Sequence, residues 1–104
     1  MISRHRIEEL ILQALSAVNQ TEPVYKNVTL NGATIVLGRD SPLDSVTVSA
    51  FATALEEQLE DETGEEYILN IDDVYNPEED PKGLPVGELA RRVFEDLQHG
   101  TQKT

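Results

Sequence analysis

Ile7, Leu10, Ile11, Ala14, Leu15 and Val18 recur at steps of three and four, the spacing that gathers side chains on one stripe of an α-helix. The pattern predicts a helix over about residues 3–19. Ser3 stands where its hydroxyl can cap that helix, and Glu8 and Glu9 follow near the positive end of its dipole. The same period returns twice. Val48, Phe51, Ala52, Leu55 and Leu59 mark a second helix over about 45–62, with Gly64 as its stop. Val86, Leu89, Ala90, Val93 and Leu97 mark a last one over about 86–98, with Pro85 at a tolerant first position and Gly100 beyond its end. Each stripe must be buried against another element, and 104 residues leave room for one core. The expected fold is therefore all-α, in a single domain over 1–104.

Between Gln20 and Asp44 the helical period stops. Tyr25-Lys26-Asn27-Val28-Thr29-Leu30 and Ala33-Thr34-Ile35-Val36-Leu37 are β-rich and flank Asn31-Gly32, the strongest short hairpin signal because both central residues of a type I′ turn favour positive φ. An isolated two-stranded hairpin is marginal in water. The expectation is a long ordered loop packed on the helices, with room for a short hairpin inside it; loops of this length usually carry function. A short helical turn is expected over about 71–76, around Asp72-Asp73-Val74-Tyr75.

Charge narrows the partners. The net charge is −12, and between Glu56 and Asp80 lie twelve acids with no Lys or Arg. No basic patch offers itself to nucleic acid or anionic lipid, no apolar run is long enough for membrane insertion, and an electrostatically steered partner should be basic. The basic start, Met1 to Arg6, leads into Ile7-Glu8-Glu9 and not into an apolar signal core, so no secretory signal is expected. Cysteine is absent, which rules out disulfides, zinc thiolates and thiol nucleophiles and is compatible with a reducing cytoplasm.

Catalytic groups are sparse. His5 and His99 lie at opposite chain ends, leaving a nucleophile-and-base triad little to work with, and no carboxylate pair is marked as a buried proton donor. The chain is expected not to be an enzyme. Asp72, Asp73, Asn76, Glu78, Glu79 and Asp80 offer oxygens to a calcium ion but lack the alternating ligands and central glycine of an EF-hand loop; they read as a solvated acidic loop, and no metal is expected.

The informative segment is Leu37-Gly38-Arg39-Asp40-Ser41-Pro42-Leu43-Asp44-Ser45-Val46, which presents a serine at a helix N-terminus, where unpaired amides and the dipole suit a phosphate ester. Asp44 or Ser45 could equally be a plain cap. Here the chain resembles the acyl carrier protein family, whose mark is Asp-Ser-Leu at the head of its second helix: Asp44-Ser45-Val46 and then Ala54-Leu55-Glu56-Glu57-Gln58-Leu59 follow it without a gap. The likeness runs through the first helix, the long loop to Leu37-Gly38, the short acidic helix near Ile71 to Tyr75 and the final Val86-Gly87-Glu88-Leu89-Ala90 helix. It implies an acyl-carrier-like four-helix bundle with three main helices and one short. It also implies a monomeric cytoplasmic carrier without an active site of its own. A phosphopantetheinyl transferase would attach 4′-phosphopantetheine to Ser45, and acyl groups would ride on the arm as thioesters. Asp44, Val46, Glu56 and Glu57 would then serve recognition by the transferase and by acyl-loading and acyl-transferring enzymes with basic docking surfaces.

Three departures shape the expectation. The stretch from Leu37-Gly38 to Ser45 is longer than in common fatty-acid carriers and holds its own Asp40-Ser41, but Pro42 follows where the motif has a large apolar residue, so the arm is assigned to Ser45. The insertion with Asn31-Gly32 has no counterpart in the minimal pattern. Thr47, Ser49, Ala50 and Thr53 stand where the family often has acids, and the acids begin at Glu56. That favours a dedicated carrier for a specialised fatty-acid, polyketide or related pathway. The alternative is a non-carrier acidic helical domain that binds a basic protein with Ser45 unmodified.

Overall fold

The computed structural model describes residues 2–21, 23, 25, 30–38, 41, 43–69, 71–76, 78–79 and 83–98, and omits the side chains of Ser45, Asp72 and Asp73. The order is α1 (Arg4–Thr21), β1 (Ile35–Leu37), α2 (Ser45–Thr63), α3 (Ile71–Val74), β2 (Leu84–Pro85) and α4 (Val86–Gln98). The chain is thus mostly helical with a small two-stranded sheet.

Helix α1 is the middle layer and packs on both α2 and α4. Its stripe, Ile7, Leu10, Ile11, Ala14, Leu15 and Val18, is buried, and it meets Phe51, Leu55 and Leu59 of α2 and Val86, Leu89, Ala90 and Val93 of α4 in one core. Each fully buried Leu, Ile or Phe contributes on the order of 1.5–3 kcal/mol against exposure. Ser3 caps α1 by accepting the Arg6 N–H at 3.1 Å. Gly64, at φ 77°, ends α2 in the left-handed conformation and gives its N–H to the Glu60 carbonyl. The single turn α3 is tied to α4, because Arg92 Nη1 donates to the Val74 carbonyl at 2.7 Å.

Two expectations change. The strand around Ile35 pairs antiparallel with Leu84–Pro85, Ile35 opposite Pro85 and Leu37 opposite Leu84, so among the described residues its partner comes from the far end of the chain and not from a local hairpin. Asn31-Gly32 does turn the chain, but through an Asn side chain: Asn31 Oδ1 accepts the Ala33 N–H at 2.8 Å and the Asn31 carbonyl accepts the Thr34 N–H at 3.0 Å. Residues 26–29 of the expected first strand lie outside the described residues. Second, Pro85 closes β2 instead of standing at a first helical position, while α4 runs over Val86–Gln98, the expected span; Gly100, its expected stop, is outside the described residues. The turn supplies what α4 lacks. The Val86 N–H donates to the Thr34 carbonyl at 2.8 Å and the Gly87 N–H to the Gly32 carbonyl at 2.9 Å, satisfying two amides that a helix start leaves without intrahelical acceptors.

The crossing of β1 with the residues before β2 admits only glycine. Gly38 (φ 107°) and Gly83 (φ 111°) both have positive φ, and a Cβ on Gly38 would lie 2.5 Å from the Gly83 Cα.

Candidate functional site

From β1 the chain turns at Gly38 and reaches α2 through Ser41, Leu43 and Asp44. Ser41 makes three hydrogen bonds here: its N–H donates to the Gly38 carbonyl at 3.1 Å, its hydroxyl donates to the Val36 carbonyl at 2.6 Å, and the same oxygen accepts the Leu43 N–H at 3.1 Å. The buried side chains of Val36 and Leu43 pin both ends of this reversal in the core. Arg39, Asp40 and Pro42 lie outside the described residues.

Asp44 is the cap of α2. Its backbone is extended (φ −86°, ψ −179°), and its Oδ1 accepts both the Thr47 N–H at 2.8 Å and the Thr47 hydroxyl at 2.7 Å. Those bonds, the backbone one first, hold the Asp44 carboxyl below its ordinary value, because they favour the charged form. Ser45 is the first helical residue; its side chain is outside the described residues. Val46, next along, is 77% exposed, an unusual setting for a large apolar side chain in this otherwise well-buried set.

Thr47 corrects an expectation. Counted by residue type it belonged to an uncharged outer face with Ala50 and Thr53, yet it is only 6% exposed. It heads the inner row Thr47, Phe51, Leu55 and Leu59, at a strict step of four, while Val46, Ala50, Thr53, Glu57, Glu60 and Asp61 face outward. The spacing Asp44-x-x-Thr47, a cap and its third helical residue, signals the contact between the two but not the burial of Thr47.

The two carboxylates singled out beside the motif serve differently. Glu57 is exposed on the outer row. Glu56 is half-buried and its Oε2 accepts the Leu69 N–H at 2.7 Å, fastening the segment after α2 to the helix, where Tyr67 and Leu69 are buried and Ile68 points out. Tyr67 also donates to Asp96 of α4 at 2.9 Å. Glu62 meets Arg6 of α1 through two contacts of 3.1 Å, so the acidic stretch receives a counter-charge from outside itself.

A pocket of about 420 Å³ lies between Ile2, Glu62, Thr63, Glu65, Glu66, Tyr67 and Leu97, at the far end of α2, roughly 27 Å along the axis from Ser45 at 1.5 Å per residue. No group of three or more metal-ligating side chains converges among the described residues; Asp80 and the side chains of Asp72 and Asp73 fall outside them. No helix among the described residues is long and apolar enough to cross a membrane. Comparison of the chain with family models, with curated proteins and with solved structures finds no match.

Proposed function

We propose that this chain is an acyl carrier whose Ser45 bears 4′-phosphopantetheine, and that its helices form the four-helix bundle of such carriers. The observation that carries the reading is a division of roles at the head of α2. Asp44 does the capping and Ser45 stands first in the helix, while the neighbouring serine, Ser41, has its hydroxyl committed to the Val36 carbonyl. The first-turn amides and the helix dipole favour a phosphodiester anion on Ser45, while the bonds from Thr47 keep the Asp44 carboxylate engaged as the cap.

Attachment is a phosphoryl transfer catalysed by a separate transferase with magnesium. The Ser45 oxygen loses its proton and attacks the pantetheine-bearing phosphorus of coenzyme A; a P–O bond forms, the pyrophosphate bond breaks, and adenosine 3′,5′-bisphosphate leaves. The arm supplies the thiol that a cysteine-free chain lacks, and a reducing cytoplasm keeps it free. Enzymes that load and move the acyl group would find Val46 beside the arm and Glu57, Glu60 and Asp61 farther down the same outer row. That displaced charge supports a dedicated pathway over general fatty-acid synthesis. The exposed acids also favour the second reading, an unmodified interaction domain for a basic protein.

Intact mass separates the two. Incubation of apo-protein with coenzyme A, magnesium and a broad-specificity transferase is expected to add one arm. Ser45→Ala should accept none, and peptide mapping should place the arm on Ser45. A wild-type chain that stays unmodified, or an arm on Ser41, defeats the assignment.

A further inference from the structure

We propose that Ser41 is the positioning residue for Ser45; the effect on arm transfer rests on the carrier reading above, whereas the effect on the backbone does not. One hydroxyl spans the reversal between β1 and α2: it donates to the Val36 carbonyl at 2.6 Å and accepts the Leu43 N–H at 3.1 Å. Val36 and Leu43 are buried, so the clamp joins two fixed points and the loop between them cannot relax by shifting either. Tyr25 braces the same spot. Its side chain is buried and its hydroxyl donates to the Ile35 carbonyl at 2.7 Å, one residue before the carbonyl that Ser41 holds. Downstream, Asp44 is held by Thr47. Ser45 is therefore fixed from both sides, by Ser41 before the cap and by Thr47 after it.

Removing the Ser41 hydroxyl takes from the Leu43 N–H and the Val36 carbonyl the partner they share, at the cost of the hydrogen bonds that joined them. The start of α2 then samples arrangements in which Ser45 is not presented. A partner that needs the ordered arrangement binds more weakly by the fraction of chains that hold it, while the chemical step, once the serine is seated, is unaltered. Ser41 thus acts on binding and touches no reacting atom.

The test compares Ser41→Ala, Ser41→Thr and Thr63→Ala as full-length apo-proteins. Thr63 gives its hydroxyl to the Leu59 carbonyl at 2.7 Å and accepts the Glu65 N–H at 3.2 Å at the other end of α2, so its replacement reports what loss of such a bridging hydroxyl does to the helix in general. With coenzyme A and a broad-specificity transferase, Ser41→Ala should raise KM for the carrier by roughly three- to tenfold, the range that one net hydrogen bond supports, with kcat nearly unchanged. Ser41→Thr should recover most of the loss, and Thr63→Ala should match wild type. Amide hydrogen exchange, read without any transferase, should quicken over Leu43 to Thr47 in Ser41→Ala alone. Wild-type kinetics in Ser41→Ala, or equal slowing in Thr63→Ala, overturns the positioning role. Should wild type accept no arm at all, the carrier reading falls and hydrogen exchange decides the clamp: unaltered exchange at 43–47 overturns it.

Discussion

Asp44 holds Thr47 by two bonds at once, so its contribution depends on its charge. The folded carboxyl titrates below its ordinary value of 3.8, which means that the stability it adds is complete above that value and is lost as pH falls through the lower, folded one. Asp44→Ala should melt earlier than wild type at neutral pH, and the gap between the two melting temperatures should close in strong acid; a gap constant down to pH 2 would show that the cap acts through shape and not charge. Thr47 gives the complementary case. Asp44-Ser45 was legible as a helix head because residue type and position agree there, but burial of a threonine depends on which row of the helix faces α1, and a polar side chain leaves no mark in an apolar pattern. Ser41 was equally illegible as a clamp, since its partners, Val36 and Leu43, are chosen by how the loop folds back.

Helix α2 has two rows with different tolerances, and substitutions should sort by row. Thr47→Glu would force a charge into the space that Asp44 and the core already occupy, placing two carboxylates together, and should lower the melting temperature by several degrees. Ala50→Glu and Thr53→Glu lie on the outer row and should leave it within a degree or two. In the carrier reading, those same two outer substitutions should improve use by a general fatty-acid ketosynthase, mainly through faster association at low salt, when assayed beside the parent protein. Equal activity of parent and variant with that enzyme would remove the argument for a specialised pathway. The helices themselves were readable because the stripes of α1, α2 and α4 repeat over several turns. The sheet was not, because Ile35–Leu37 finds its partner near residue 84, and a pairing across that distance leaves no local signature; Asn31-Gly32 signalled a turn correctly but could not say which segment the turn would face.

Across the whole molecule the acids outnumber the bases by twelve, and most of the excess stays unopposed. Arg6 answers Glu62 and holds its carboxyl below the usual range, while Arg91 and Arg92 are engaged with Glu88, and Arg91 also with Glu95, on α4 itself. The acids Glu57, Glu60, Asp61, Glu65 and Glu66 are all exposed, and none of these three arginines is paired with them. Their repulsion opposes the compact state, so the melting temperature should rise from low to physiological ionic strength, with divalent cations acting beyond their ionic strength. A flat response to both kinds of salt would mean that the charges are already compensated. The tie between the turn at Gly32–Thr34 and the first amides of α4 has a consequence for how the protein is made. A ribosome delivers the chain from its amino end, and the carbonyls of Gly32 and Thr34 wait for the amides of Gly87 and Val86, which lie far along the sequence. The strand that leads toward α2 is thus locked only after Gly87 has been made, and in the carrier reading a nascent chain stalled before Val86 would meet the modifying enzyme before the finished surface exists.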